Sequence, residues 1–408
     1  MSKRLYNTFE FIGSMVIPNP LVYHDTKLKR QSLRLGVRDE EANSTGFINF
    51  DHWVNNENKP IKYLFSTDGE QMEVAWNDRL NPVILNGVAD FKKISIDLET
   101  DFEKKTEYTE AFFRMLHENK KETPDPEKIK ECKEILSDTP NRHQVLTELD
   151  AISILKESLP QYAETHKIKI KGDVALSESK GKIYINYRPR SFELMPLETP
   201  SNLSLTLDIF FDENSVDITP LEDSKVIPVQ GYVLDYDKNS SNKSKISYYP
   251  LNNMVINARN LNLEDDKTSK ILNYMVGKFN TEPNMVHHNQ FEVFLFNGAD
   301  KIDVDDDSSF ELTPDQEMEI ELGISTIDDF KPKGTVYGSN YTELRIVKPI
   351  TKGQFSDGSI SVFSQDDFYQ SIVKMGDNTT VEDVIKNANE TKATDDVVSV
   401  DDLLEGLK

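Results

Sequence analysis

A period of two, recurring in separate stretches of the chain, constrains the fold more than any other feature of the sequence. In QSLRLGVR, residues 31–38, Leu33, Leu35 and Val37 fall on one side, and Arg34 and Arg38 on the other. In KIKIKGDVALS, Ile168 and Ile170 oppose Lys167, Lys169 and Lys171. In KIYINYRPRSF, Ile183, Ile185 and Tyr187 oppose Lys182, Tyr184, Asn186, Arg188 and Arg190. Successive side chains of a strand point to opposite faces, so each stretch reads as a strand with one apolar and one cationic face.

Other segments extend the β reading. Residues 5–17 read as an opening strand, stopped by Pro18 and Pro20. FINFDHWV places Trp53 on a face with Phe47, Asn49 and Asp51, opposite Ile48 and Phe50, and the pattern does not say which face lies inside. YLFSTDGEQMEVAW carries an Asp68-Gly69 hairpin turn. PVILNGVADFKKISIDL supplies one or two further strands. From about residue 101 the spacing becomes helical in TEYTEAFFRMLHENKK, PEKIKECKEILSD and HQVLTELDAISILKESL, the last ending near Pro160. After residue 203, LSLTLDIFF, KVIPVQGYVLDY, KISYYPLNNMVINAR, QFEVFLF, QEMEIELGI and TELRIVKPI read as strands, and KTSKILNYMVGKF as a helix. The expected fold is mainly β with a helical insertion, an α+β class. Residues 1–198 form one domain with its insertion at 101–165, residues 199–355 a second β-rich domain, and residues 356–408 a weakly structured acidic tail.

A formal net charge of −24 over 408 residues argues against polyanion binding along the whole surface. The charge is unevenly spread, however. Residues 1–36 hold six Lys or Arg against two acids, and residues 166–192 hold seven against Asp173 and Glu178. Residues 303–330 hold eleven acids and no Lys or Arg. The cations therefore gather on candidate strands of the first half.

The sequence carries no signature of catalysis. It has no Gly-rich phosphate loop, no Ser/His/Asp order and no CxxC pair. Asp303, Asp305 and Asp307 alternate as in a calcium loop, but Ser308 and Pro314 stand where that loop needs glycine and glutamate. His287-His288 has no cysteine nearby and only distant acids, so no metal or other cofactor is expected. One cysteine, Cys132, excludes an intramolecular disulfide and suits a reducing compartment. The N-terminal apolar run is interrupted by Asn7, Thr8 and Glu10, unlike a signal peptide, and no apolar run spans a membrane, so a cytoplasmic protein is expected.

Single strands bind where a cationic groove tracks the phosphates and exposed aromatic rings accept bases. Lys182, Tyr184, Arg188 and Arg190 supply both on one strand face. Lys167, Lys169 and Lys171 adjoin them, Arg34 and Arg38 add a second strand, and Trp53 is a further base platform.

Several stretches resemble the bacterial and bacteriophage single-stranded DNA-binding protein family. NTFEFIGSMV resembles its opening strand, SLRLGVRDEEANSTGFINFDHWV its second and third strands, and IKIKGDVALSESKGKIYINYRPRSFELM its closing hairpin. The resemblance implies an OB-fold barrel for residues 1–198, while the strands–helix–strands order shared by the two units suggests a tandem fold in which the second β-rich domain is OB-like as well. It implies a non-enzymatic role in phage DNA replication or recombination, in the host cytoplasm. The acidic tail, with Asp401, Asp402, Leu403 and Leu404, would then recruit replication or recombination proteins. Homo-oligomers are compatible with this expectation. The alternative from another class is a phage structural or protein-interaction protein without nucleic acid.

Overall fold

A computed structural model describes residues 7–121, 123–139, 141–179, 182–236, 246–299, 301–302, 312–326, 336–350 and 361–365. The acidic stretch 303–311 and the tail residues Asp401, Asp402, Leu403 and Leu404 lie outside the described residues.

The alternating segments form the strands that their spacing predicts. β1 (Thr8–Val16), β2 (Val22–Asp25), β3 (Arg30–Asp39) and β4 (Ser44–Trp53) come first. β3 and β4 pair antiparallel, with Arg30 opposite Trp53, Arg34 opposite Asn49 and Arg38 opposite Thr45. Phe9, Phe11 and Met15 of β1 are buried. β1 crosses β3 so closely that a Cβ on Gly13 would lie 2.2 Å from the Arg38 carbonyl oxygen, which only glycine accommodates.

β5 (Ile61–Phe65) and β6 (Gln71–Val74) form the hairpin expected at Asp68-Gly69, with Gly69 at φ 85°. The strands expected over residues 82–98 become α1 (Pro82–Gly87), a 3-10 turn at Asp90–Lys92 and β7 (Ile94–Asp97). The reason is local: the Asn81 side chain caps the Val83 N–H and Pro82 occupies the first helical turn. α2 (Phe102–Asn119), α3 (Pro126–Ser137), β8 (Arg142–Val145) and α4 (Glu148–Tyr162) complete the insertion. Asp101, Asp125 and Thr147 cap the three helices, and Pro160 sits within the last turn of α4. β9 (Lys167–Ser179) and β10 (Lys182–Met195) follow as a long hairpin. β9 pairs with β1, and β7 runs parallel to β10 with Ser95 opposite Ser191.

The second half contributes β11 (Asn202–Asp212), α5 (Leu221–Ser224), β12 (Val226–Tyr236), β13 (Ile246–Asn257), α6 (Asp266–Gly277) and β14 (Met285–Gly298). β15 (Lys301–Ile302), α7 (Pro314–Glu321), β16 (Val336–Tyr337), β17 (Tyr341–Pro349) and β18 (Ser361–Ser364) end the described chain. The strand expected over residues 316–324 is α7 instead. Its alternating Met318 and Ile320 are overridden by a Thr313–Gln316 capping box and Pro314 in the first turn.

Among the described residues the fold is mainly β, with a mixed sheet of 14 strands and several helices. β11, β12, β13, β17 and β14 close a ring, β14 pairing back onto β11, and only the β13–β17 pair is parallel. β11 also pairs with β1, and β14 with β4, so the strands of both halves share one sheet. In the first half β1, β3 and β4 run on one side, β9 and β10 on the other, and β4 faces β10 through Phe50 and Phe192, 5.7 Å apart. One continuous apolar core runs from Phe9 and Phe11 through Phe192 to Phe211, Phe291 and Ile346.

A charged network fastens the insertion to β10. The Lys105 ammonium of α2 donates to the Leu194 carbonyl at 2.6 Å and lies 3.7 Å from Asp97 and 3.5 Å from Glu193. Glu193 also pairs with Lys169, and Asp97 with Arg142 at 2.8 Å. Burial pushes the Lys105 ammonium down from its usual pKa, the nearby carboxylates only partly opposing it. Burial also opposes charge on Glu193, but its hydrogen bond with Lys169 and the charges of Lys169 and Lys105 outweigh that and hold its carboxyl below the usual value. A carboxyl with a lowered folded pKa stabilises above its unfolded pKa and loses that stabilisation as the pH falls through its folded value. Glu193→Gln is therefore expected to cost about 1–3 kcal/mol at neutral pH. In denaturant titrations, the gap from the parent protein should narrow as the pH drops below the unfolded value of 4.5. A gap that did not change with pH would contradict the ionic role.

Candidate nucleic-acid interface

The site is built on the outward face of the β3–β4 hairpin. Leu33, Leu35 and Val37 of β3 and Ile48 and Phe50 of β4 are buried, which settles the inner face. Alternation then forces Arg30, Arg34 and Arg38 outward on β3, and Phe47, Asn49, Asp51 and Trp53 outward on β4. Phe47 is 58% exposed and Trp53 42%. Gly36 lies opposite Phe47, and a Cβ there would meet the phenyl ring at 3.4 Å, so the ring rests over bare backbone. The Arg34 guanidinium lies 4.2 Å above the half-exposed ring of Tyr23, and that of Arg30 lies 5.7 Å from Trp53. Arg30 also donates to Asp51 at 3.2 Å, and Ser32 hydrogen-bonds the same carboxylate.

The opposite wall is β10. Beyond the short β7 pairing at Ser191–Glu193, its segment Ile185–Arg190 faces β4 across a groove of about 540 Å³. Four arginines line this groove, Arg30, Arg34, Arg188 and Arg190, against the two acids Asp51 and Glu148. The groove is thus locally cationic on a chain of net charge −24. Ile94 of β7 and Glu148 of α4 also line it.

A bulge shapes this wall. The β9–β10 register shifts between Pro189 and Ser191, leaving Arg190 as the extra residue. Gly172 permits the close crossing there, since a Cβ would lie 2.0 Å from the Arg188 carbonyl oxygen. Arg190 Nε donates to Asp173 Oδ2 at 3.0 Å. Among the described residues no carboxylate pairs with Arg188 or Arg34. Tyr187 points inward, edge-on to Phe9 and Phe11 at 5.1 and 4.8 Å, and burial pushes its hydroxyl pKa up. It is a core residue and a wall of the groove, held as the neutral phenol.

The groove gathers four of the residues expected from sequence: Arg34, Trp53, Arg188 and Arg190. The others lie elsewhere. Lys182 and the 48%-exposed Tyr184 continue the outward face of β10 beyond the groove. Arg38 donates to Asn43 Oδ1 at 3.2 Å. The β9 lysines are already engaged: Lys167 donates to the Thr199 carbonyl at 2.6 Å, Lys169 pairs with Glu193 and Lys171 with Glu10. The ion pairs of Lys169 and Lys171 dilute the expected cationic stripe. The sequence pattern does not single out Tyr23, Arg30 or Phe47, although Phe47 shares the strand face of Trp53 and is legible there.

The histidines have structural partners. His288 Nε2 lies 2.9 Å from Asp208 Oδ1 beneath the stacked ring of Phe210, and His287 Nε2 lies 3.0 Å from Glu282 Oε2. Cys132 is buried. Among the described residues no group of three His, Cys, Asp or Glu is placed to hold a metal ion, and no helix is long and apolar enough to cross a membrane. Comparison with protein-family models, curated proteins and solved structures gives no match to this chain.

Proposed function

We propose that this chain is a single-stranded DNA-binding protein and that the groove between β4 and β10 receives the strand. The observation that carries this reading is one groove with the exposed rings of Phe47 and Trp53 beside Arg34 on its β3–β4 wall and Arg188 on its β10 wall, the two guanidinium groups meeting no carboxylate among the described residues. Exposed rings accept bases from any sequence at roughly 1–3 kcal/mol each, and guanidinium groups hold phosphates. A duplex hides its base faces inside the stack, so rings on a sheet face favour single strands.

We read the strand order as two OB-type barrels. β1, β3, β4, β9 and β10, with α4 before β9, supply the first. β11, β12, β13, β14 and β17, with α6 between β13 and β14, supply the second, and its parallel β13–β17 pair closes the ring. A barrel of this kind with a basic, aromatic outer face is a common binder of single strands. The likeness of the β1, β3–β4 and β9–β10 sequences to the bacterial and bacteriophage single-stranded DNA-binding family supports a part in phage DNA replication or recombination. The acidic C-terminal residues then serve to recruit partner proteins.

Fluorescence anisotropy with labelled oligo-dT and a matched duplex tests the reading. The expected result is selective single-strand binding that weakens with salt. The two unpaired arginines, Arg34 and Arg188, by themselves correspond to a log–log slope of about −1.4, at about −0.7 per phosphate on single strands. Equal binding of duplex, or no binding at low salt, would overturn it. A protein-interaction role would then stand, favoured by the exposed Phe112, Phe113 and Leu116 on α2.

A further inference from the structure

A small lobe stands at one end of the groove, between β4 and β7. It has its own core of Leu64, Val74, Val88 and Leu146, with Ile61, Met72, Ile84 and Leu85 packed around it. Its outer surface departs from what that core requires. Tyr63 is 73% exposed and Phe91 69%. The Phe91 ring lies 6.0 Å from Phe65, and the Lys92 ammonium is placed 5.1 Å from Phe65 and 5.7 Å from Phe91. Among the described residues no carboxylate pairs with Lys92. An aromatic pair under such an ammonium is the same combination that lines the groove.

The backbone at Tyr63 is held in this arrangement at a cost. Tyr63 has φ 62°, in the left-handed region that a bulky residue seldom occupies. The β5–β6 register shifts between Ile61 and Leu64, so both of these reach the lobe core while Lys62 and Tyr63 are left outside. Bulges re-aim side chains in this way, and such strain gathers at functional sites.

The lobe is also fixed to the groove. Trp53, a groove residue, ends the strand that leads into it, and Phe91 lies three residues before Ile94, another groove residue. Three residues span at most about 11 Å. Buried Lys93 anchors the return, reaching Asp90 at 3.0 Å and Gln144 at 3.3 Å. Arg79, stacked 4.4 Å over Trp76, forms a two-point bond to Asp150 of α4 at 2.9 and 3.2 Å. Two residues before Asp150 on that helix, Glu148 lines the groove.

We propose that Tyr63, Phe91 and Lys92 form a second stacking subsite, which takes the single strand as it leaves the groove past Ile94. This inference rests on the single-strand reading of the groove and specifies how far the bound strand extends. The occupant is a nucleic-acid single strand because the patch combines rings with a cation and Phe91 lies only three residues from the groove residue Ile94.

The test uses the full chain and oligo-dT in steps from about 4 to about 30 nucleotides, around the range one OB barrel covers. Tyr63→Ala combined with Phe91→Ala should match the parent on the shortest oligonucleotides that bind. On long ones it should lose roughly tenfold or more in affinity. Both side chains are exposed, so the fold should survive. Lys92→Glu provides a second route, with the same length dependence and a salt slope on long oligonucleotides shallower by about 0.7. Parent-like affinity of both variants at every length would overturn the subsite while leaving the groove standing. An equal loss at every length would also overturn it, by placing the effect in the groove. Failure of the parent protein to bind any oligonucleotide would remove the groove reading and this one together.

Discussion

Replacing Arg34 and Arg188 together by glutamate is expected to lower oligo-dT affinity by at least about 100-fold at low salt, and to leave the fold intact. The two guanidinium groups stand on opposite walls of the groove, one on β3 and one on β10. Both residues are exposed and make no ion pair among the described residues, so no buried partner is stranded by the change. Two attractions become two repulsions, and the salt slope should become shallower by about 1.4, for two phosphates at about 0.7 each. Lys171→Gln makes the matched control. Its ammonium is already paired with Glu10, so its removal should change affinity several-fold at most. Anisotropy titrations at two salt concentrations, with circular dichroism for folding, check both. An unchanged affinity in the double variant would exclude the groove as the binding site.

Phe11→Ala should destabilise the fold by about 3–5 kcal/mol, the cost of emptying a fully packed aromatic site. Phe11 is fully buried where β1, β4 and β10 meet. Its ring lies 4.9 Å from Phe9 and 4.8 Å from Tyr187. It also covers Gly46, where a Cβ would come within 2.7 Å of it. No neighbour can fill the void without moving a strand of the groove: Gly46 belongs to β4, and Tyr187 lines the opposite wall. Denaturant unfolding measures the cost, and oligo-dT affinity should fall with it. A loss under about 1 kcal/mol would mean that the site collapses freely and that the walls are not held by this ring.

The parts of this structure that were legible in the sequence are those governed by a short period. The two faces of β3, β9 and β10 followed from alternation, because a strand with one buried side must repeat every second residue. For that reason Arg34, Arg188 and Tyr184 could be placed outward from sequence alone. What was not legible depends on partners far along the chain. The β9 lysines alternate as clearly as the β3 arginines, but Glu193 lies 24 positions beyond Lys169, and Glu10 lies on another strand. Only tertiary structure brings these carboxylates across and removes the lysines from the cationic surface. Local capping misled the β reading twice: Asn81-Pro82 and Thr313-Pro314 each start a helix where apolar alternation suggested a strand. The facing of β4 against β10, which makes the groove, is a long-range event with no local mark.

A single strand held in the groove lies against Trp53. The chain has two tryptophans, and Trp76 is held beneath Arg79 in the neighbouring lobe. In a Trp76→Phe variant, intrinsic fluorescence therefore reports on Trp53 alone. Saturable quenching of that emission is expected as oligo-dT is added, reversed by salt in parallel with the loss of binding. Binding seen by anisotropy with no change in Trp53 emission would contradict the placement of the strand in this groove.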